Sequence, residues 1–221
     1  MTTPEPLLEV RDLRHEIAGR CVMAAPAFSA ARGQHTLLLG PSGSGKTTLI
    51  NVITGLITPT AGDVRISGTS MTALPAAQRD QLRRRTIGVV FQTLRLIGAL
   101  SVRQNLALAQ TLALGRSDPA IIDRLIAQVG LTHRADARPR ELSQGEGQRA
   151  AIARALCAEP ALVVADEPTS ALDDANAVAM ADLLLATAEA TGATLLIATH
   201  DNRLRARFAR TLTLSVPQVS A

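Results

Sequence analysis

Residues 36–48, Thr-Leu-Leu-Leu-Gly-Pro-Ser-Gly-Ser-Gly-Lys-Thr-Thr, restrict the fold of this 221-residue chain more than any other stretch. Thr36 to Leu39 is a short apolar run of the kind that becomes a strand covered on both faces. A helix is predicted from about Lys46, because Leu49, Val52, Ile53 and Leu56 fall at helical spacing. Between strand and helix lies G-x-x-x-x-G-K-[ST], filled by Gly40, Gly45, Lys46 and Thr47, with Gly43 in addition. Glycines let such a loop curl until several backbone N–H groups converge on one anion. The helix N-terminus that follows adds unpaired N–H groups and a favourable dipole. Gly40, Pro41, Ser42, Gly43, Ser44, Gly45, Lys46, Thr47 and Thr48 therefore read as a phosphate cradle. Lys46 reaches the β- and γ-phosphates, Thr47 is placed to hold Mg²⁺, and Thr48 donates to the α-phosphate.

The rest of the chain supplies a sheet for that loop. Leu7 to Val10, Cys21 to Met23 and Ala27 to Ala30 are expected strands ahead of it. Thr58 to Gly62 is a turn, Asp63 to Ile66 a half-buried strand, Pro75 to Arg84 a polar helix and Ile87 to Val90 an apolar strand. From Ser101 to about Leu156 the pattern is helical only. Asp118-Pro119 opens one helix there, with the apolar face Ile121, Ile122, Leu125 and Val129 and a stop at Gly130. Strands then return at Ala161 to Ala165 and Thr194 to Ala198, around a helix from about Asp174 to Thr191 ended by Gly192. Strands alternating with crossover helices predict a parallel sheet, and the all-helical middle predicts an inserted subdomain.

Composition narrows the classes. No apolar run approaches the roughly 20 residues of a membrane span. The first residues, Met-Thr-Thr-Pro-Glu-Pro, have neither a basic start nor an apolar core, so a signal peptide is not expected and the cytosol is. Cys21 and Cys157 are the two cysteines, far apart and without metal-ligand spacing, and read as packing residues of a reducing compartment. The net charge of +4 does not by itself imply nucleic acid, and the absence of Trp and Tyr argues against a base-stacking surface. Arg83-Arg84-Arg85 reads as a solvated helix end.

Further polar groups fall at strand ends. Leu162 to Ala165 delivers Asp166 and Glu167, and carboxyl ends of parallel strands are where ligands sit. Asp166 suits Mg²⁺ coordination, and Glu167 is placed to act as general base toward water. His200 follows Leu195 to Thr199 on the same edge, where it can contact the γ-phosphate and hold water and base in place. Gln92 follows the strand Ile87 to Phe91 at a third such position.

Leu142-Ser143-Gln144-Gly145-Glu146-Gly147-Gln148-Arg149, running into Ala150 to Leu156, is the most specific stretch. It resembles the signature sequence of ATP-binding cassette (ABC) proteins, the motor subunits of ABC transporters. The flanking pieces agree: Gly40 to Thr48 is similar to the Walker A motif and Phe91-Gln92 to the Q-loop. Leu162 to Asp166 with Glu167 resembles Walker B and the catalytic glutamate, Ser170-Ala171-Leu172-Asp173 the D-loop, and Ala198 to Asp201 the H-loop.

The resemblance implies one cassette over residues 1–221: an α/β P-loop NTPase, RecA-like, with an N-terminal antiparallel β region. Residues 1–91 and 160–221 form its core and 92–159 its helical signature subdomain. It implies an ATPase with ATP and Mg²⁺, catalytic groups Glu167, His200, Gln92 and Lys46, and metal contacts from Thr47, Gln92 and Asp166. Two copies meet head to tail, so that Ser143, Gly145 and Asp173 complete the partner's nucleotide site. Separate transmembrane permease subunits hold the pair at the inner face of the cell membrane, and no nucleic acid is expected. Arg85 to Gln92 and Leu100 to Leu106 look like the lipoprotein-releasing and macrolide-exporter branch. A regulatory cassette with slow turnover and a soluble non-transport ABC ATPase stay open as alternatives.

The chain departs from the family pattern in places. Gln144 stands where a second glycine is common and Glu146 where glutamine is common. The aromatic residue that stacks on adenine is missing, leaving Ile17 or His15 in its place, which implies lower nucleotide affinity. The usual Asp-Gly turn after the last strand is missing from Leu212 to Ala221.

Overall fold

A computed structural model describes residues 5–170 and 172–217. Ala171 of the expected D-loop, the first four residues of the N-terminal reading and residues 218–221 of the C-terminal one lie outside them.

Two sheets organise the chain. The first is antiparallel and contains β1 (Leu8–Ile17), β2 (Arg20–Ala25), β3 (Phe28–Ala30), β5 (Ala61–Ile66) and β6 (Thr69–Ser70). Its order is β2-β1-β5-β6, with β3 also paired to β1. The second is parallel throughout and has the order β10-β4-β9-β8-β7. Its members are β4 (Thr36–Leu39), β7 (Ile87–Val90), β8 (Leu162–Asp166), β9 (Thr194–Thr199) and β10 (Arg210–Thr213). Strands β4, β8 and β9 are buried at every residue, as a sheet covered on both faces requires.

Helix α1 (Lys46–Ile53) follows β4 and packs between β2 of the first sheet and β8 and β9 of the second. Leu49, Val52 and Ile53 there join Leu13, Met23, Leu38, Val164 and Leu196 in one apolar core. Helix α2 (Ala76–Thr86) is polar and buries no residue, yet it rests on β7. Between β7 and β8 the chain is helical: α3 (Val102–Leu114), α4 (Pro119–Gln128) and α5 (Gln144–Leu156). Ser101 and Gln104 close a capping box on α3, and Asp118 with Pro119 starts α4, whose Ile122, Leu125 and Ile126 enter a second core. Helix α5 meets β7 at Gly88, where a Cβ would lie 2.1 Å from the Ala155 carbonyl oxygen. Helix α6 (Asp174–Thr191) runs from an Asp173 cap to Gly192 and covers β9.

Three elements differ from the sequence reading. Strand β1 is ten residues long, because it continues past Arg11 and Asp12 with a register shift and a positive φ at Asp12. The short strand β6 and the edge strand β10 lack the apolar runs that mark the other strands. The reading of Arg83 to Arg85 as a helix end holds, with Arg83 paired to Asp80 at 2.7 Å.

Candidate nucleotide site

The loop between β4 and α1 is bent by two close approaches. A Cβ at Gly40 would lie 2.6 Å from both the Leu214 carbonyl oxygen and Ser44 Oγ. Gly45 caps α1 with φ 88, and a Cβ there would meet the Val22 carbonyl oxygen at 2.8 Å and Met23 Cβ at 2.9 Å. The β1–β2 hairpin thus seats the loop. The Ser44 N–H donates to the Pro41 carbonyl oxygen at 3.2 Å, and Ser44 Oγ is buried without a partner. Gly40, Pro41 and Ser44 shape the loop, while Ser42, Gly43, Gly45, Lys46, Thr47 and Thr48 line a cavity of about 440 Å³.

Gln92, Glu167, Ser170 and His200 line the same cavity. β8 and β9 are adjacent in the sheet, so their carboxyl ends bring Glu167 and His200 together. His200 Nδ1 is 3.0 Å from both oxygens of Glu167, and Thr199 Oγ1 donates to Glu167 Oε2 at 3.0 Å. Lys46 Nζ donates to the carbonyl oxygens of Gly40 at 2.8 Å and Pro41 at 3.2 Å, and lies 3.2 Å from Glu167 Oε1. Burial alone pushes the Glu167 carboxyl up, but His200, Thr199 and Lys46 outweigh it and hold the group below its ordinary value. Its backbone φ is 48, a left-handed conformation that costs a non-glycine residue about 1 kcal/mol or more.

Asp166 is buried at the end of β8, and its Oδ1 has no partner. Burial pushes its carboxyl up, opposed by the Thr47 hydroxyl and Lys46 and reinforced by Glu167. An orphaned carboxylate oxygen beside a hydroxyl and a phosphate cradle fits a hard cation that takes its remaining oxygens from phosphate and water. Among the described residues no group of three His, Cys, Asp or Glu side chains could hold a metal by itself.

Ser143, Gly145 and Asp173 lie elsewhere, around a second cavity of about 420 Å³ with Gln144, Arg149 and Asn176. Ser143 caps α5: its Oγ accepts from the Glu146 N–H at 3.3 Å, and Glu146 Oε2 accepts from the Ser143 N–H at 2.7 Å. Those bonds, with Arg134 at 3.0 Å, hold the Glu146 carboxyl at about 2. Glutamate at this position is therefore accommodated as the third residue of a capping box. Asp173 caps α6 through the Asn176 N–H at 2.9 Å. The Gln148 side-chain amide donates to the Pro168 carbonyl oxygen at 2.7 Å, tying the start of α5 to the turn after Glu167.

Ile17 ends β1 and is 60% exposed, while His15 sits two residue pairs further along the hairpin with a buried, unpartnered Nδ1. Cys21 and Cys157 are both free thiols, and burial pushes Cys157 up to about 12.

Sequence reasoning missed three features. Thr199 touches Glu167 directly. Arg203 grips Asp201 with Nε and Nη2, each at 2.7 Å, and reaches Asp174 at the start of α6. An apolar groove of about 360 Å³ lies between α2, β7, α3 and α5. Leu56, Ile97 and Leu112 are exposed around it, with Arg84, Arg95 and Arg154 on its walls. No carboxylate pairs with those three arginines among the described residues. Arg95 lies over the Phe91 ring at 4.4 Å, and Arg154 donates to the Arg95 carbonyl oxygen.

The model of the ABC transporter family matches residues 24–170. The bacterial ABC transporter cassette MJ0796, solved as a dimer, is similar with TM-score 0.85 and 28% identity over 97% of each chain. The same cassette in a post-hydrolysis state bound to ADP and Pi gives the same values. CbiO1 from Clostridium perfringens, part of the ABC transporter complex CbiONQ, is similar with TM-score 0.86 and 25% identity, over 98% of this chain and 88% of that one.

Proposed function

The chain belongs to the ABC transporter family, and from that premise we propose that this ATPase drives separate membrane subunits, of the lipoprotein-release or macrolide-export kind. The observation that carries the reading is the single cavity lined by the phosphate loop, Gln92, Glu167 and His200. Residues 1–91 and 160–221 serve as the nucleotide-binding core of one cassette, and 92–159 as its helical signature part.

ATP enters along the phosphate loop, whose N–H groups and helix dipole take the phosphates. Lys46 leaves Glu167 and the loop carbonyls for the β- and γ-phosphates. Thr47, Asp166 and Gln92 would hold Mg²⁺, which neutralises charge on the phosphate oxygens when bound. Glu167 takes the proton of the attacking water, and His200 keeps the carboxylate aimed while contacting the γ-phosphate. Ser143, Gly145 and Asp173 act on the second copy's nucleotide, in a head-to-tail pair that ATP closes and hydrolysis opens. Their position around a different cavity from that of Lys46 supports a site shared between two copies. Binding of the base is weak, because exposed Ile17 takes the place of a stacking aromatic ring.

Among the described residues no helix is long and apolar enough to cross a membrane. The partner's cytoplasmic segment docks in the arginine-walled groove, next to the chain that carries Gln92, and brings carboxylates to Arg84, Arg95 and Arg154. It holds the cassette at the inner face of the membrane.

The test is capture of partners by tagged Glu167→Gln protein with Mg-ATP from detergent-solubilised membranes. A partner with few spans and a large extracytoplasmic domain supports the proposed branch, and many spans with a solute-binding companion mean import. Soluble nucleic-acid or ribosomal partners alone overturn the transporter reading.

A further inference from the structure

Thr199 is fully buried at the end of β9, in a position where the sheet needs only a small β-branched side chain. Valine would fill the same volume, so the hydroxyl requires a separate explanation. A threonine hydroxyl has one proton to give and lone pairs to accept with. The Asp201 N–H donates to Thr199 Oγ1 at 3.1 Å, which leaves the hydroxyl proton for Glu167 Oε2, 3.0 Å away.

The donor that sets this direction is itself held. Asp201 has a nearly buried carboxylate whose Oδ1 accepts from the Arg203 N–H at 3.0 Å, and the Arg203 guanidinium grips both its oxygens. On its backbone side, the Thr199 carbonyl oxygen accepts from the Gly40 N–H at 3.2 Å. One residue therefore joins the first glycine of the phosphate loop to the carboxylate opposite. The other charged groups facing Glu167 are Lys46, His200 and Asp166, and none of them singles out Oε2: Lys46 approaches Oε1, His200 meets both oxygens, and Asp166 repels the whole group.

We propose that Thr199 is a positioning residue that pins Glu167 Oε2, so that Oε1 is the oxygen turned toward water once Lys46 leaves it for the phosphates. This rests on the reading of Glu167 as the base. A carboxylate anchored by one oxygen has less freedom to turn the other away from the water, and such orientation shows in turnover rather than in nucleotide binding.

The experiment measures steady-state and single-turnover ATP hydrolysis by the purified full chain, with thermal unfolding followed in parallel. Thr199→Val is expected to lower kcat about tenfold with KM for ATP within about twofold, and Thr199→Ser to restore the rate. In a Glu167→Ala background, Thr199→Val should lower the residual rate no further, since the group it acts through is gone. Thr199→Ala is read in the same way should the valine protein fold poorly. The proposal is overturned by a wild-type kcat in Thr199→Val, by an equal loss in the Glu167→Ala background, or by a loss that tracks unfolding. Glu167→Gln is measured beside them: wild-type turnover there removes the base assignment itself, whereas its inactivity with an active Thr199→Val rejects only the role of Thr199.

Discussion

Lys46 Nζ and Glu167 Oε1 are 3.2 Å apart, both side chains are close to fully buried, and they come from opposite walls of one cavity. The cation proposed to take the phosphates and the carboxylate proposed to act on water neutralise each other. Removing either one alone leaves its partner uncompensated, and that asymmetry separates the effects expected of the two substitutions.

Glu167→Gln releases Lys46 while removing the proposed proton acceptor. ATP affinity is expected to be kept or increased, with hydrolysis reduced about 100-fold or more. Equilibrium binding of a fluorescent ATP analogue and phosphate release measure the two separately. Tighter closure of the dimer with ATP, read by light scattering, is expected alongside.

Lys46→Ala removes the cation of the cradle and leaves the phosphates to uncharged backbone and hydroxyl donors. The Kd for ATP is expected to rise about 100-fold, by analogy with the loss of charge-assisted hydrogen bonds. Isothermal titration of the variant against ATP checks this.

Gly45→Ala puts a Cβ within 3 Å of the β1–β2 hairpin at a φ of 88. Left-handed strain and the clash together should cost about 1–3 kcal/mol, seen as a lower Tm, together with weaker nucleotide binding because the loop loses its seat.

Glu146 carries a pH signature. Its folded value of about 2 lies below the ordinary carboxylate value of 4.5, so its contribution to stability is complete above the latter and is lost as pH falls toward the former. Glu146→Gln should flatten that part of the acid-unfolding curve, because an amide can still close the cap but does not titrate. Unfolding followed by circular dichroism between pH 5 and pH 2 makes the comparison.

Arg95→Glu places like charge where the partner's carboxylates are expected in the groove. Co-purification with the membrane subunit should fall, and Arg95→Lys should preserve more of it. An unchanged yield with glutamate would reject the charge-complementary docking.

Much of this was legible in the chain, for local reasons. Strand β4 is an apolar run stopped by Gly40, and α6 is bracketed by Asp173 and Gly192, so their limits are written in adjacent residues. The residues around the cavity announce themselves by spacing. The full length of strand β1 is hidden in the sequence because Arg11 and Asp12 interrupt its alternation at a point where the backbone itself departs from regular geometry. The contact of the Thr199 hydroxyl is not legible in the sequence, because it arises only when β8 and β9 lie side by side. The groove has no sequence signal because its arginines come from three separate segments, α2, the stretch after β7 and α5. Pairwise juxtapositions of that kind have no period or motif.

Gly88 gives α5 a fulcrum. Backbone meets backbone there at Ala155, near the helix's last turn, while Ser143 sits about 18 Å away at its other end. A tilt of about 5° about that contact carries the tip of the arm through roughly 1.6 Å, the scale that separates a good hydrogen bond from a broken one. Gln148 holds the same arm to the turn after Glu167. In the head-to-tail pair proposed above, a phosphate of the second copy at the tip would therefore be geared, through a rigid rod, to the loop that carries this copy's own Glu167.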